Sequence, residues 1–307
     1  MNSEPYGMKP LNERLRLRDL VVRRLRDWFH DHGYLEVETP QRVASPGIDV
    51  HVDALPAGGG LFLATSPELE MKKLLAAGFS RIVQFARAFR AGERGERHHA
   101  EFTLLEWYAA GEDYRDLMRS TEQLVDEAAA ALEAAGVATR RAAWPRPFPR
   151  LGVDEAFERW AGWRPSRDFD EERFFEDLVG KVEPRLGELG AVYLMDWPAA
   201  AGALARRKPS DPAVCERVEL VLDGLEICNG FSELTDSREQ RERFERDNCE
   251  RRRRGRDPYP IDQRFLDALA SGIPPCAGNA LGVDRLVMLF ADASTIDEVV
   301  AFTPDRL

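Results

Sequence analysis

No stretch of this 307-residue chain approaches the roughly 20 consecutive apolar residues that a membrane helix requires. Residues 1–10 have neither a basic start nor an apolar core, so neither an export leader nor membrane attachment is expected. Cysteine is sparse. Cys215, Cys228, Cys249 and Cys276 form no C-x-x-C pair and have no histidine neighbours, which excludes a disulfide framework and a zinc ribbon and fits reduced thiols in a cytoplasm. Lysine is scarcer than arginine: Lys9, Lys72, Lys73, Lys181 and Lys208 stand among 43 basic residues. Excess positive charge is lacking too, because 54 acidic side chains leave a net charge of -11, which opposes indiscriminate adhesion to nucleic acid or anionic lipid. There is no internal repeat and no low-complexity tract.

What is present is a chain long enough for a substantial core, with 44% hydrophobic and 32% charged residues. Leu17, Leu20, Val21, Leu25, Trp28 and Phe29 recur at helical spacing and predict a helix over residues 11–32, stopped by Gly33. Residues 34–40 alternate and close on Pro40, a strand pattern, and Trp28, Phe29 and Tyr34 would leave an apolar face uncovered unless a second subunit packs on it. Shorter strands are expected at 49–55 and 61–65, and a longer pair at 81–90 and 101–109 around a loop rich in Gly, Arg and His. A helix follows over 114–135, with Leu117, Leu124, Val125 and Leu132 on one face. Prolines then break up residues 137–213, which read as an insertion containing one apolar strand at 191–195. Strands at 217–222 and 225–228 flank an Asp223-Gly224 turn, a helix of alternating charge runs over 237–254, and a strand-to-helix turn spans 278–285. Strands grouped together, with helices before and after, predict an α+β domain around an antiparallel sheet.

Three segments, in order, resemble the signatures of class II aminoacyl-tRNA synthetase catalytic domains. The helix leading into Glu36-Val37-Glu38-Thr39-Pro40 resembles the first, a dimer-interface element; VQFARAFRAGERGERHHAEFTLLEWY, at 83–108, resembles the second; GNALGVDRLVML, at 278–289, resembles the third. The block EICNGFSELTD at 226–236, together with SPELEMK at 66–72, is similar to the lysyl branch. Lysyl-tRNA synthetases carry an anticodon-binding barrel ahead of this domain, whereas here the first catalytic helix begins near residue 11. The resemblance is therefore nearest to the stand-alone paralogues that attach an activated lysine isomer to elongation factor P, a reading favoured also by Ala280 where lysyl-tRNA synthetases usually have glycine. It implies one catalytic domain over residues 1–307, a homodimer, ATP as co-substrate, Mg²⁺, lysine or (R)-β-lysine as donor and elongation factor P as acceptor, with no role for tRNA.

The resemblance also assigns residues, and the chemistry explains why those types are needed. Attack of a carboxylate on a phosphate joins two anions, so fixed positive charge is required; Arg90 matches the arginine at the α-phosphate and Arg285 the one at the far phosphates. His98, His99, Phe102, Ile227 and Gly282 match the remainder of the ATP site. Glu219 and Glu226, on neighbouring strands across the turn, match the paired carboxylates that hold Mg²⁺. For the amino acid, Ser66, Pro67, Glu68, Glu106 and Tyr108 line the pocket, Asn229 and Ala280 sit at the carboxylate end, and Glu233 faces the side-chain ammonium. The usual Arg-x-Glu of the second signature reads Arg90-Ala91-Gly92-Glu93 here, and His99-Ala100 replaces a usual Asn-Pro. Contact with the nucleotide must then come from Glu93 or from the backbone at Gly92. The run Arg251-Arg252-Arg253-Arg254 reads either as a docking patch or as a solvated helix end. Two other functions stay open at this point: a minimal lysyl-tRNA synthetase, and a catalytically silent regulator.

Overall fold

The computed structural model describes residues 8–304; of the leader segment considered above, residues 1–7 lie outside the described residues. Helix α1 (Met8–Asp31) leads into the short strand β1 (Leu35–Glu36), and β2 (Arg42–Val43) and β3 (Phe62–Leu63) form a two-residue ladder. Helix α2 (Glu68–Ala76) precedes the long hairpin of β4 (Arg81–Phe89) and β5 (Glu101–Ala110), followed by α3 (Tyr114–Ala134). Residues 137–213 contribute β6 (Arg150–Gly152), α4 (Val153–Trp160), α5 (Glu171–Asp177), α6 (Glu183–Gly187), β7 (Ala191–Pro198) and β8 (Arg207–Lys208). The chain closes with β9 (Asp211–Leu222), β10 (Leu225–Ser232), α7 (Ser237–Arg253), α8 (Gln263–Gly272), β11 (Cys276–Gly282) and α9 (Val283–Phe290).

Among the described residues the main sheet has nine strands, ordered β1-β4-β5-β11-β10-β9-β7-β6, with β8 paired to β9. The expected antiparallel sheet is found in its centre, but the outermost pairs β1·β4 and β6·β7 are parallel, so the sheet is mixed. Two local predictions also change. No strand forms over 49–55, where Arg251 instead takes the carbonyls of Asp49 and Val52, and the strand expected over 34–40 shortens to two residues at the sheet edge. Helices α2 and α8 had not been foreseen from the sequence.

Alternation along the strands divides the sheet into two faces. Leu105, Trp107 and Ala109 of β5, Ala277 and Leu281 of β11, and Val218 and Leu220 of β9 join the core beneath α1 and α3. Phe102, Leu104 and Glu106, with Ala280 and Gly282, point to the opposite face and line a cavity. Trp28, Phe29 and Tyr34, which sequence reading left as an uncovered face awaiting a second subunit, are at most 7% exposed within one chain. They belong to this core and cannot by themselves argue for a dimer. No helix of the described residues is long and apolar enough to cross a membrane.

Candidate active site

A single β-bulge sets the chemistry of the cavity's strand floor. The β9–β10 register slips between Glu226 and Cys228, so Ile227 and Cys228 both pack in the core at the cavity's edge while Glu226 and Asn229, three positions apart, both reach the cavity. Strict alternation would have put them on opposite faces. The hairpin itself turns on Asp223 and Gly224, whose φ values of +48° and +78° are what a tight two-residue turn requires. Across the neighbouring strand, Ala280 pairs with Asn229 on one side and Glu106 on the other, which sets the three side by side.

The cavity measures about 970 Å³ and brings together Ser66, Glu68, Arg90, Glu93, His98, His99, Phe102, Glu106, Glu226, Ile227, Asn229, Ala280, Gly282 and Arg285. At one end the groups are cationic. The Arg90 guanidinium lies 5.1 Å over the Phe102 ring and 3.8 Å from the Glu93 carboxylate, with Gly92 in left-handed backbone between them. Arg285 donates to Glu226 Oε2 at 3.0 Å and lies 2.5 Å from Nε2 of His98. Burial and the adjacent Arg285 charge lower the His98 pKa, favouring the neutral ring. His99 is buried and turned to Asp297, 2.5 Å away, a carboxyl that Arg94 and His99 hold down at about 2.

Five of the assigned residues do not line the cavity wall. Pro67 is the N-cap of α2, and Gly92 has open space around its α-carbon. Glu219 is withdrawn behind Arg217, which donates to it at 2.6 Å while stacking 4.1 Å over Trp197. Burial raises the Glu219 pKa despite Arg217, and Glu226 and Glu183 push it the same way. A half-buried carboxylate with two acidic neighbours and one cation is under-neutralised, a donor set that suits a divalent cation. Among the described residues no three or more acidic, His or Cys side chains form a closed metal cage, so such an ion would draw its remaining ligands from phosphate and water.

Tyr108 and Glu233 lie deeper, beneath the end of the cavity lined by Glu68 and Glu106. Glu106 accepts from Ser66 at 2.5 Å and from the Tyr108 hydroxyl at 3.0 Å. Even so, burial and the Glu68 charge lift its pKa to about 7. Gly278 permits this arrangement, since a Cβ there would stand 2.1 Å from the Tyr108 ring and 2.4 Å from Glu233 Oε1. Glu233 is 3% exposed; its Oε2 lies 2.5 Å from the Lys72 ammonium as an ion pair without hydrogen-bond geometry, and its Oε1 has neither an ion-pair nor a hydrogen-bond partner. Lys72 is the residue that sequence reading missed, although its position four residues after Glu68 on a helix was a usable signal.

Residues 8–306 match the family described as tRNA synthetases class II (D, K and N). The chain belongs to this family. It is 40% identical over 311 aligned positions, covering 94% of both chains, to a protein of Erwinia tasmaniensis named elongation factor P--(R)-beta-lysine ligase. A protein of the same name from Salmonella paratyphi B is 38% identical over the same share. Class II domain and ligase relatives together make the chain an ATP-dependent ligase. Within the arginine run at 251–254, Arg251 is 1% exposed and bonded to the loop before β3, Arg253 and Arg254 pair with Glu250 and Arg254 also with Glu171, while Arg252 and Arg253 face outwards at the helix end.

Proposed function

We propose that this chain condenses ATP with (R)-β-lysine or lysine to an aminoacyl-adenylate and passes the acyl group to the ε-amino group of a lysine of elongation factor P. The observation that carries the reading is the cavity's polarity: guanidinium groups at one end, and at the other the carboxylates of Glu68 and Glu106 in the wall and of buried Glu233 beneath it, which exceed their one internal cation, Lys72. A triphosphate suits the first end and a diamino acid the second. The amino acid's carboxylate oxygen attacks the α-phosphorus, the bond to the β-phosphate oxygen breaks and pyrophosphate leaves. Arg90 meets the charge developing on the α-phosphate, Arg285 and His98 hold the distal phosphates, and Phe102 stacks on the base. Glu93, beside Arg90, takes the nucleotide-contacting part that the usual glutamate has elsewhere. Glu219 and Glu226 would hold Mg²⁺, which supplies charge neutralisation to the phosphates. The acceptor amine then attacks the acyl carbonyl and AMP leaves. No general base is needed for the first step, because the attacking carboxylate is ionised at neutral pH.

The test is direct. Elongation factor P incubated with this protein, ATP and each lysine isomer is expected to gain the mass of one lysyl residue on one lysine. An unmodified factor with every isomer rules the reading out, and a charged tRNA in its place would favour the minimal synthetase.

We also infer a homodimer through α1 and β1. Support now comes from the open sheet edge, where Leu35 is 50% exposed beside the two-residue strand. Sedimentation should give twice the chain mass at micromolar concentration, and a monomer there would dismiss it.

A further inference from the structure

In a chain that uses arginine almost everywhere it needs a cation, one lysine is buried in the site. Lys72, on the second turn of α2, is 1% exposed. Its Nζ lies 2.5 Å from Glu68 Oε1 and 2.5 Å from Glu233 Oε2. Burial opposes its charge, but the carboxylates of Glu233 and Glu68 outweigh burial and hold the ammonium protonated above the usual lysine range. Its Nζ also stands 6.0 Å from the centre of the Tyr108 ring. A compact ammonium fits between two carboxylates where a planar guanidinium fork would force them apart.

Charge arithmetic gives this lysine a purpose. Glu68, Glu106 and Glu233 carry three negative charges when ionised and Lys72 returns one positive charge, leaving two. Two is the number of ammonium groups on a diamino acid. The remaining groups that bear on this cluster are Tyr108 and Cys276, both raised by burial and held neutral, and the more distant Arg206 near Cys276. Geometry agrees with the arithmetic: with Glu233 Oε2 drawn to Lys72, its Oε1 is left without a partner, buried against Gly278 and Tyr108. A buried carboxylate oxygen left unpaired is costly, and an incoming ammonium relieves that cost.

We propose that Lys72 is a specificity-determining positioning residue: by pairing Glu68 with Glu233 it fixes the pocket's surplus at two negative charges and presents Glu233 Oε1 to the side-chain ammonium of the substrate. This rests on the reading of the cavity as a diamino-acid site. Lys72 itself contacts no reacting atom. Its own amine stays protonated between the two carboxylates, so it does not compete with the acceptor amine for the activated acyl group.

The experiment is lysine- and norleucine-dependent ATP–pyrophosphate exchange across about pH 6 to 9, the range in which such buried carboxyls titrate. It compares the parent, Lys72→Met, and the double variant Lys72→Met/Glu68→Gln, each checked by thermal melting. Removing one partner of a buried charge pair should lower kcat/KM for lysine about 30-fold or more in Lys72→Met, through KM rather than kcat. The same variant should need higher pH, because facing carboxylates without their ammonium hold a proton more tightly. The double variant again leaves two negative charges and should recover about tenfold, with its preference for lysine over norleucine retained. A merely structural lysine would leave the pH profile unmoved and make the double variant no better than the single one; either result overturns the proposal. If Lys72→Met does not fold, the double variant decides alone, since a folded double variant that has lost its lysine preference refutes the charge count. Failure of the underlying function looks different: a parent that exchanges with no lysine isomer.

Discussion

Replacement of Glu233 by glutamine is expected to collapse discrimination between lysine and norleucine. The parent should reject norleucine by a factor of about 10⁴ or more, because an apolar side chain of similar length leaves a buried carboxylate without a cation, and sites built for a polar group reject analogues lacking it by that order. Glu233 is suited to this part because one oxygen lies 2.5 Å from the Lys72 ammonium and the other is buried without a partner against Gly278 and Tyr108. Glutamine has nearly the same shape, so packing should persist while the charge is lost. Lysine activation by the variant should fall sharply and norleucine activation should fall little. Amino-acid-dependent pyrophosphate exchange with both compounds measures the ratio, and an unchanged ratio would remove Glu233 from substrate selection. The pH dependence of the parent follows from the same pocket. Only an ionised carboxylate attracts an ammonium; burial with the Glu68 charge puts the Glu106 pKa at about 7, and burial, only partly offset by Lys72, puts that of Glu233 at about 8, so lysine activation should rise with pH through about 7 to 8.

Arg90→Ala should abolish adenylate formation while leaving the fold intact. Loss of a preorganised charge contact at a developing oxyanion costs about 10²- to 10³-fold in turnover, or about 3 to 4 kcal/mol at the barrier. The structural cost is small by comparison, since the guanidinium is partly exposed and its contacts are a long 3.4 Å bond to the Thr65 carbonyl, the Phe102 ring and Glu93. Thermal melting should therefore change little while ATP–pyrophosphate exchange disappears. Exchange at the parent rate would show that Arg90 does not meet the α-phosphate.

Much of this protein was legible in local sequence because the signals are local. The Asp223-Gly224 turn, the long strand pair β4 and β5 and the strand-to-helix step into Arg285 each depend on residues a few positions apart, and the structure bears each of them out. Family motifs then supplied the two arginines and the acidic pocket; Arg90, Arg285, Glu68, Glu106 and Glu226 do converge on one cavity, while Glu233 and Glu219 lie behind its wall. What sequence misjudged were features set by partners far along the chain. Segment 49–55 alternates like a strand, yet its carbonyls are claimed by Arg251 roughly two hundred residues later. Trp28, Phe29 and Tyr34 look like a face left bare, but Trp107 and the rest of the core cover them.

The deepest part of the site shows the same division. That Glu68, Glu106 and Glu233 are carboxylates, and that Lys72 follows Glu68 at helical spacing, was written in the sequence. That Lys72 would stand between Glu68 and Glu233, 165 positions apart in the chain, was decided by α2 packing beneath a sheet in which β10, β11 and β5 are neighbours. The bulge after Glu226 is of the same kind, since only the pairing of β10 with β9 slips the register and turns Asn229 into the cavity. Residue types set which charges the site contains. Tertiary packing decided which of them are desolvated, which cancel, and which are left for a substrate, because burial and distance determine how strongly charges interact.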